Sequence, residues 1–171
     1  MFIKKAEIDK EKLIAELIFT GDIVQDSDKS IPWPEREDRF NRYVELLDAI
    51  KGDEGCEVAK ALVRSMQAKQ DYGAYQTTQH ALGRFPSGVY ISAILAELPT
   101  LIQNNPDWAG ELLCSLANSV GTKWESDIDL FNKELMVYDS ESAEIIRKYI
   151  ADQENDGWLG HRVGILGRSL A

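Results

Sequence analysis

The residues of this chain with the greatest capacity for chemistry are carboxylates, and ten of them lie in one segment. This acidic segment, residues 125–156, also contains three basic side chains, so it carries a formal charge of −7 of the chain's −10. Closely spaced carboxylates can bind a divalent metal ion, exchange protons in catalysis, or attract a basic partner. Each of these uses makes a different demand on the neighbouring sequence.

The chain lacks the usual sequence motifs for metal binding and for acid–base catalysis. The stretch ESDIDLF, residues 125–131, resembles part of a calcium loop, but no glycine or terminal glutamate follows at the required spacing. His80 and His161 are the only histidines, and neither belongs to an HExxH or Glu-x-x-His pattern. Cys56 and Cys114 form no CxxC pair, and no GxSxG motif is present. We therefore predict a protein that is not an enzyme and has no catalytic, cofactor or metal site.

A set of glycines in the C-terminal tail is spaced by three, four and three residues: Gly157, Gly160, Gly164 and Gly167. The functional interpretation is a phosphate-binding loop, but the tail lacks the GK[ST] sequence and has no preceding strand. On a helix these glycines would share one face. We expect a tail helix whose thin glycine face lets another backbone approach closely. Its expected apolar anchors are Trp158, Leu159, Val163 and Leu166.

Nothing in the sequence argues against the third use of the carboxylates, which is the attraction of a basic partner. A field of one sign repels nucleic acid and anionic membranes, so we predict neither as a partner. Asp139, Glu141 and Glu144 have a local structural explanation, because they fall in the first turns of a predicted helix and favour its dipole. The predicted partner-binding residues are five other acids and two nearby tryptophans: Asp127, Asp129, Asp152, Glu154, Asp156, Trp124 and Trp158.

A solvated acidic surface that only maintains solubility is the alternative interpretation of the same charges. Arg147 lies close enough in sequence to Asp139 and Glu144 for ordinary surface ion pairs. If this interpretation holds, neutralising the acids would change neither the rate of association with a partner nor its salt dependence.

The elements that must position these residues are helical almost throughout. Apolar residues recur at intervals of three and four, and no two alternating runs are joined by an Asn-Gly or Asp-Gly turn. Asp9, Asn105–Pro106 and either Asp139 or Ser140 are predicted helix starts, and Pro99 is expected to kink or break a long apolar helix. The predicted fold class is all-α, with about eight or nine helices in a single domain spanning residues 1–171.

A degenerate repeat suggests how the helices are arranged. DYGA at residues 71–74 and DWAG at residues 107–110 both read as acidic, aromatic and then small, 36 positions apart. Helix pairs repeating at about 30 to 45 residues are typical of HEAT or armadillo-like α-hairpin superhelices. A compact helical bundle fits the same pattern, so both architectures stay open.

The cytoplasm is the predicted compartment. The N-terminal sequence MFIKKAEIDKEKL turns polar too early for a secretory leader, and no run approaches the roughly 18 apolar residues of a membrane span. Cys56 and Cys114 are then expected to be buried free thiols, as is usual in a reducing compartment.

A family resemblance lies in residues 71–119, which read DYGAYQTTQHALGRFPSGVYISAILAEL followed by PTLIQNNPDWAGELLCSLANS. An acidic-aromatic-Gly helix start, an A-L-x-x-F-P helix end and an apolar helix ending in L-P resemble small immunity proteins of bacterial polymorphic toxin and contact-dependent growth inhibition systems. The resemblance implies a cytoplasmic, non-enzymatic protein that binds and neutralises a cognate toxin domain, frequently a nuclease. It transfers no binding residue, because the toxin-facing surface varies among members of such families.

The charge and the resemblance lead to the same functional expectation. A nuclease must hold a phosphate backbone, so its cleft tends to be basic, and an acidic helical protein could fill or cover that cleft. We expect a chain that is monomeric before binding and then blocks the active site or substrate access of a basic toxin domain. One alternative is a HEAT-like scaffold or regulatory adaptor without a toxin partner. Another is a helical enzyme that uses His80 and nearby carboxylates.

Overall fold

The structure, a computed structural model, describes residues 9–168 as eight α-helices and one short 3₁₀ turn, Gly160–Arg162. The described residues contain no strand, so the predicted all-α class and helix number are confirmed. The helices are α1 (Lys10–Gly21), α2 (Trp33–Ala49), α3 (Cys56–Arg64), α4 (Ala74–Leu82), α5 (Ser87–Asn104), α6 (Pro106–Ala117), α7 (Ser126–Val137) and α8 (Ser140–Asn155). None of these described helices combines the length and the apolar character needed to cross a bilayer. The stretch behind the leader prediction lies mainly outside residues 9–168.

The predicted helix starts are confirmed. The carboxylates of Asp9 and Asp139 cap α1 and α8 by accepting a backbone N–H three residues further on, at 3.2 Å and 3.0 Å. Helix α6 begins at Pro106, but the Asn105 side chain does not cap it. Asn105 Nδ2 instead donates to the carbonyl of Ala68 at 3.1 Å, so the α5–α6 junction is tied to the segment that follows α3.

Pro99 does not break α5, so of the two expected effects, a kink or a break, the break does not occur. The helix runs from Ser87 to Asn104 with Pro99 in its interior. Leu95, Leu98 and Leu101 on either side of the proline are all buried. Packing of this apolar stretch, chiefly against α3, outweighs the lost backbone hydrogen bond, because tertiary burial supplies most of a helix's stability.

The helices stack largely in chain order. Helix α1 packs on α3, α3 on α5 and α5 on α7, while α2 packs on α4 beside them. The main contacts join helices no more than three positions apart in this order, and α5 also contacts α6 and α8. This pattern favours an α-hairpin superhelix over a compact bundle in which the first and last helices meet. The DYGA and DWAG stretches are not equivalent, since DYGA ends at the first residue of α4 and DWAG lies within α6.

A buried cluster of hydroxyl groups, the tyrosine cluster, joins the first four helices. Tyr43 Oη is hydrogen-bonded to Ser65 Oγ at 2.6 Å and to Thr78 Oγ1 at 2.7 Å. Tyr75 Oη donates to the carbonyl of Gly21 at 2.7 Å. A Cβ at Gly21 would lie 2.5 Å from the carbonyl oxygen of Ser65, so only glycine permits this approach of α1 to the end of α3.

The tail after α8 is not a helix, so the predicted glycine face is wrong. The tail forms turns around the short 3₁₀ segment. Its glycines adopt φ values between 53° and 80°, in the left-handed region that side chains disfavour: Gly157, Gly160, Gly164 and Gly167. A Cβ at the first three would meet open space, so no backbone approaches them closely. The even spacing reflects successive turns rather than one helical face.

Apolar and polar contacts nevertheless hold the tail against the helices. Leu159 and Leu166 are buried as predicted, whereas Val163 is 54% exposed and anchors nothing. Asn132 on α7 is buried, and its Nδ2 donates to the carbonyl of Ile165 at 2.9 Å. Its Oδ1 accepts the Gly167 amide at 2.7 Å. One buried amide on α7 therefore fixes the path of the tail.

Candidate functional site

Four helices and their connections line a groove of about 620 Å³ that we call the α4–α7 groove. Its walls come from α4, the start of α5, α6, and the connection from α6 into α7. No single helix presents this surface. The groove lining includes acidic, aromatic and hydroxyl groups, among them Asp71, His80, Tyr90, Trp108, Glu111, Trp124 and Asp127.

Asp127 is the most unusual group in the groove. It lies in the first turn of α7, and only 7% of its surface is exposed. Its Oδ1 is buried and has no hydrogen-bond partner among the described residues. A buried polar atom without a partner destabilises a fold by about 1 to 3 kcal/mol, and by more when it is charged. Such a group calls for a partner that the described residues do not supply, such as a water molecule, an ion or a ligand.

Asp127 is buried because of its place on the helix. Phe131 and Leu135 follow it by four and eight residues and are both buried, so the three side chains share the inward face of α7. The negative end of the side chain lies near the helix N-terminus, where the helix dipole favours an anion. Asp127 also belongs to the lining of the groove.

Tyr90 on α5 is the neutral neighbour of this carboxylate. Burial, and to a smaller extent the negative charge of Asp127, raise the pKa of Tyr90 to about 12. The phenol therefore remains protonated at neutral pH and adds no charge of its own. It offers a hydroxyl and an apolar ring to whatever enters the groove.

The charges around the groove are unbalanced towards negative. Asp71, Glu111 and Asp127 are acidic. The guanidinium of Arg84 is directed elsewhere, since its Nη1 donates to the carbonyls of Leu47 and Ile50 at 2.9 Å and 2.8 Å. The exposed imidazole of His80 is the remaining basic side chain of the lining.

Two tryptophans, Trp108 and Trp124, provide flat surfaces in the lining of the groove. Trp108 is half-buried and held in place, because its Nε1 donates to the carbonyl of Ala68 at 2.9 Å and its ring meets Tyr75 edge to face. Trp124 lies at the rim and is 49% exposed. The Lys123 ammonium lies 4.7 Å from the centre of the Trp124 ring. The ring face of Trp124 thus already interacts with a cation.

The structure brings two of the seven predicted partner-binding residues, Trp124 and Asp127, into the groove. Asp127 does not stand on an open surface as expected, because it belongs to the buried face of α7. The exposed Asp129 forms an ion pair with Arg168 at 3.0 Å. Asp152, also exposed, forms an ion pair with Lys148 on α8.

The remaining predicted residues surround the tail. Glu154 Oε1 accepts the Gly164 amide at 2.7 Å, and Asp156 is exposed just after α8. Trp158 is half-buried rather than free to bind, because its ring packs edge to face on Tyr149 and over Gly110. Its Nε1 is buried without a partner among the described residues. Trp158 therefore anchors the tail. This was one of the two roles predicted for it, and partner binding was the other.

Other sequence-based expectations need correction or qualification. Arg147 makes no pair with Asp139 or Glu144 among the salt bridges of the described residues, and donates instead to the carbonyl of Leu135 at 3.0 Å. Cys56 and Cys114 are free but only partly buried. Within residues 9–168, no three His, Cys, Asp or Glu side chains are grouped so as to hold a metal ion.

Most of the residues that line the groove could not be predicted from the sequence. Asp71, Tyr90 and Glu111 lie on different elements, and no local pattern connects them. One signal was available: the four-residue spacing from Asp127 to Phe131 puts a carboxylate on an apolar helix face.

Comparisons with known proteins leave the groove's own chemistry as the basis for a functional assignment. No protein-family model, curated protein or solved structure matches this chain. The arrangement itself is suited to binding a positively charged group, because it combines negative charge, aromatic faces and an incompletely bonded carboxylate.

Proposed function

We propose that this chain is an immunity protein that binds a basic toxin domain, such as a nuclease, and blocks its active site or substrate access. The observation that carries the proposal is the buried Asp127, whose Oδ1 has no partner within residues 9–168, in an acidic groove with aromatic walls. A chain that bound only water at this surface would gain nothing from burying such a group. The resemblance of residues 71–119 to immunity proteins supports the same function.

Long-range charge supports the choice of a basic partner. The chain carries a net charge of −10, and the acidic segment forms α8 and α7, whose Asp127 lines the groove. Complementary charge accelerates association with a basic protein and disfavours acidic ones. Pairing with Arg168 and Lys148 reduces the local effect of Asp129 and Asp152, so the groove, rather than these acids, would supply most of the specificity.

The proposed action requires no chemistry of the chain's own. A nuclease uses basic side chains to hold phosphate groups, and an acidic surface seated on those side chains would exclude the substrate. We propose that the chain acts in the cytoplasm, as a monomer until it meets the toxin domain, and without a metal ion or cofactor.

Co-purification from the native host tests this proposal. The tagged full-length chain is recovered at low and at moderate salt, and associated proteins are identified and assayed for nuclease activity and for toxicity on expression. We expect a small basic domain whose toxicity is suppressed by co-expression of this chain. Recovery of large housekeeping complexes alone would contradict the proposal and favour the scaffold or adaptor.

A charge-matched pair of variants tests the role of the acidic segment. One variant carries Asp129→Asn, Asp152→Asn and Asp156→Asn. The control carries Glu35→Gln, Glu37→Gln and Asp38→Asn on α2, where all three residues are exposed and remote in the helix order from α7 and α8. We expect the first variant to lower the association rate and its salt dependence more than the control. Equal rates would identify the acidic segment as a solvated surface.

A further inference from the structure

We infer that the α4–α7 groove receives an arginine side chain of the partner, with Asp127 as its deep anionic contact and Trp124 as the aromatic face at the rim. The inference rests on the proposed function, since a protein partner supplies the arginine. It goes beyond that function by naming the group that is recognised and the residues that recognise it.

The unpartnered atom determines the sign and kind of the ligand. Asp127 is more than nine-tenths buried, lines the groove, and leaves Oδ1 without a hydrogen bond among residues 9–168. An ionised carboxylate accepts hydrogen bonds and donates none. The missing ligand group is therefore a donor, and the negative lining favours one that carries positive charge.

A metal ion fits the groove less well than an organic cation. A divalent ion needs several oxygen or nitrogen ligands converging at short distance, whereas the described residues contain no group of three such side chains. A side-chain cation instead needs separate acceptors and flat apolar surfaces. Asp71, Glu111 and the two tryptophans provide these in the lining of the same groove as Asp127.

Arginine suits this lining better than lysine. The guanidinium has five donors in one plane and stacks on aromatic rings, and it keeps its charge when water is removed. The ammonium of lysine is compact, strongly hydrated and readily neutralised on burial. The Trp124 ring already faces a cation, Lys123, at 4.7 Å, and this internal cation would be displaced when the partner's guanidinium arrives.

The test uses N-acetyl-arginine amide as the probe and the full chain observed by NMR. We expect saturable shifts at the backbone and indole resonances of the groove, including the Trp124 indole. N-acetyl-citrulline amide has nearly the same shape without the charge and should cause no saturable shift. Shifts of equal size with the citrulline compound, or none with the arginine compound, would overturn the inference. Calcium chloride that moves the same resonances in place of the arginine probe would overturn it too.

Two neighbouring carboxylates on α7 provide the matched variants. Asp127→Asn should weaken probe binding by at least about tenfold, because one partner of a buried charge pair is lost. Asp129→Asn should leave binding unchanged, since Asp129 is exposed and pairs with Arg168. Trp124→Ala is a second, independent variant and should weaken binding about fivefold. Wild-type affinity in both the Asp127 and the Trp124 variant, with helical circular dichroism intact, would overturn the inference.

The outcome remains distinct from that of the proposed function. If the probe binds and no toxic domain co-purifies from the host, the arginine site stands and the immunity function fails. If a toxic domain co-purifies equally with wild type and with Asp127→Asn, the immunity function stands and the arginine site is overturned.

Discussion

The tyrosine cluster and the α4–α7 groove both bury polar groups, but they complete the bonding of those groups differently. In the tyrosine cluster, Tyr43 and Tyr75 meet hydroxyl and backbone partners from α1 to α4 at 2.6 to 2.7 Å. In the groove, the Oδ1 of Asp127 finds no partner among the described residues. In the tyrosine cluster, the polar groups stabilise the fold. In the groove, one polar atom is left available for a ligand.

A buried polar residue can have one of two roles: it can stabilise the fold, or it can bind a ligand. Removing a satisfied group leaves its former partners unbonded and lowers the free energy of unfolding. Removing an unsatisfied charge does the reverse, because its burial was unfavourable from the start. Substitutions in a structural cluster should therefore lower the free energy of unfolding, whereas removal of the unsatisfied charge in a binding site should raise it.

The largest effect is expected from raising the pH. Burial raises the pKa of Tyr43 to about 12, against 10.0 for an exposed phenol. The folded state thus holds the proton more tightly, so the contribution of Tyr43 to stability is constant below pH 10 and is lost between pH 10 and pH 12, by about 1.4 kcal/mol per pH unit. Tyr75, whose pKa burial also raises, adds to the slope. Urea unfolding across this range measures it, and Tyr43→Phe should flatten the curve.

Tyr75→Phe should lower the free energy of unfolding by about 3 kcal/mol. The Tyr75 hydroxyl donates to the Gly21 carbonyl at 2.7 Å and accepts the Ala68 amide at 2.6 Å, so both backbone groups lose a buried partner. Equilibrium urea denaturation provides the value, with the exposed Tyr72→Phe as control. A loss below about 0.5 kcal/mol would show that water replaces the hydroxyl and that the cluster is not closed.

Asn132→Ala should cost about 2 kcal/mol, since two tail backbone groups lose their contacts with α7. Asn155→Ala on the exposed surface of α8 is the control and should have little effect. Thermal unfolding compares the two. Deleting the chain after Asp156 should lower the melting temperature further, because Leu159 and Leu166 also leave the core. A melting temperature unchanged by Asn132→Ala would show that the tail does not depend on this amide.

Asp127→Asn should have the smallest effect and the opposite sign, a gain of about 1 kcal/mol in the free protein. The gain is the relief of a buried charge less the lost interaction with the helix dipole, which is worth up to about 1 kcal/mol. Asp129→Asn, two residues further along α7 and exposed, should change stability by less than about 0.5 kcal/mol. A clear loss of stability in Asp127→Asn would assign Asp127 to the fold and remove the contrast between the two regions.

The accuracy of the sequence-based predictions followed how local each signal was. Capping by Asp9 and Asp139 was predicted correctly, because a cap involves only the three residues that follow it. The tail helix was wrong, because a glycine spacing of three and four is shared by helical faces and by successive turns. Pro99 was expected to kink or break α5, yet the helix continues through it, since burial of the neighbouring leucines is a tertiary effect.

Residue types and short spacings were enough to predict the all-α class, the helix starts and the acidic character of the chain. Two features appear only in three dimensions: Asp127 is buried with its Oδ1 unpartnered among the described residues, and it lines one groove together with Asp71, Tyr90 and Glu111. The physical reason is that helical periodicity specifies which face of a helix is apolar. It does not specify which helices stack, and the groove exists only where α4, α5, α6 and α7 come together.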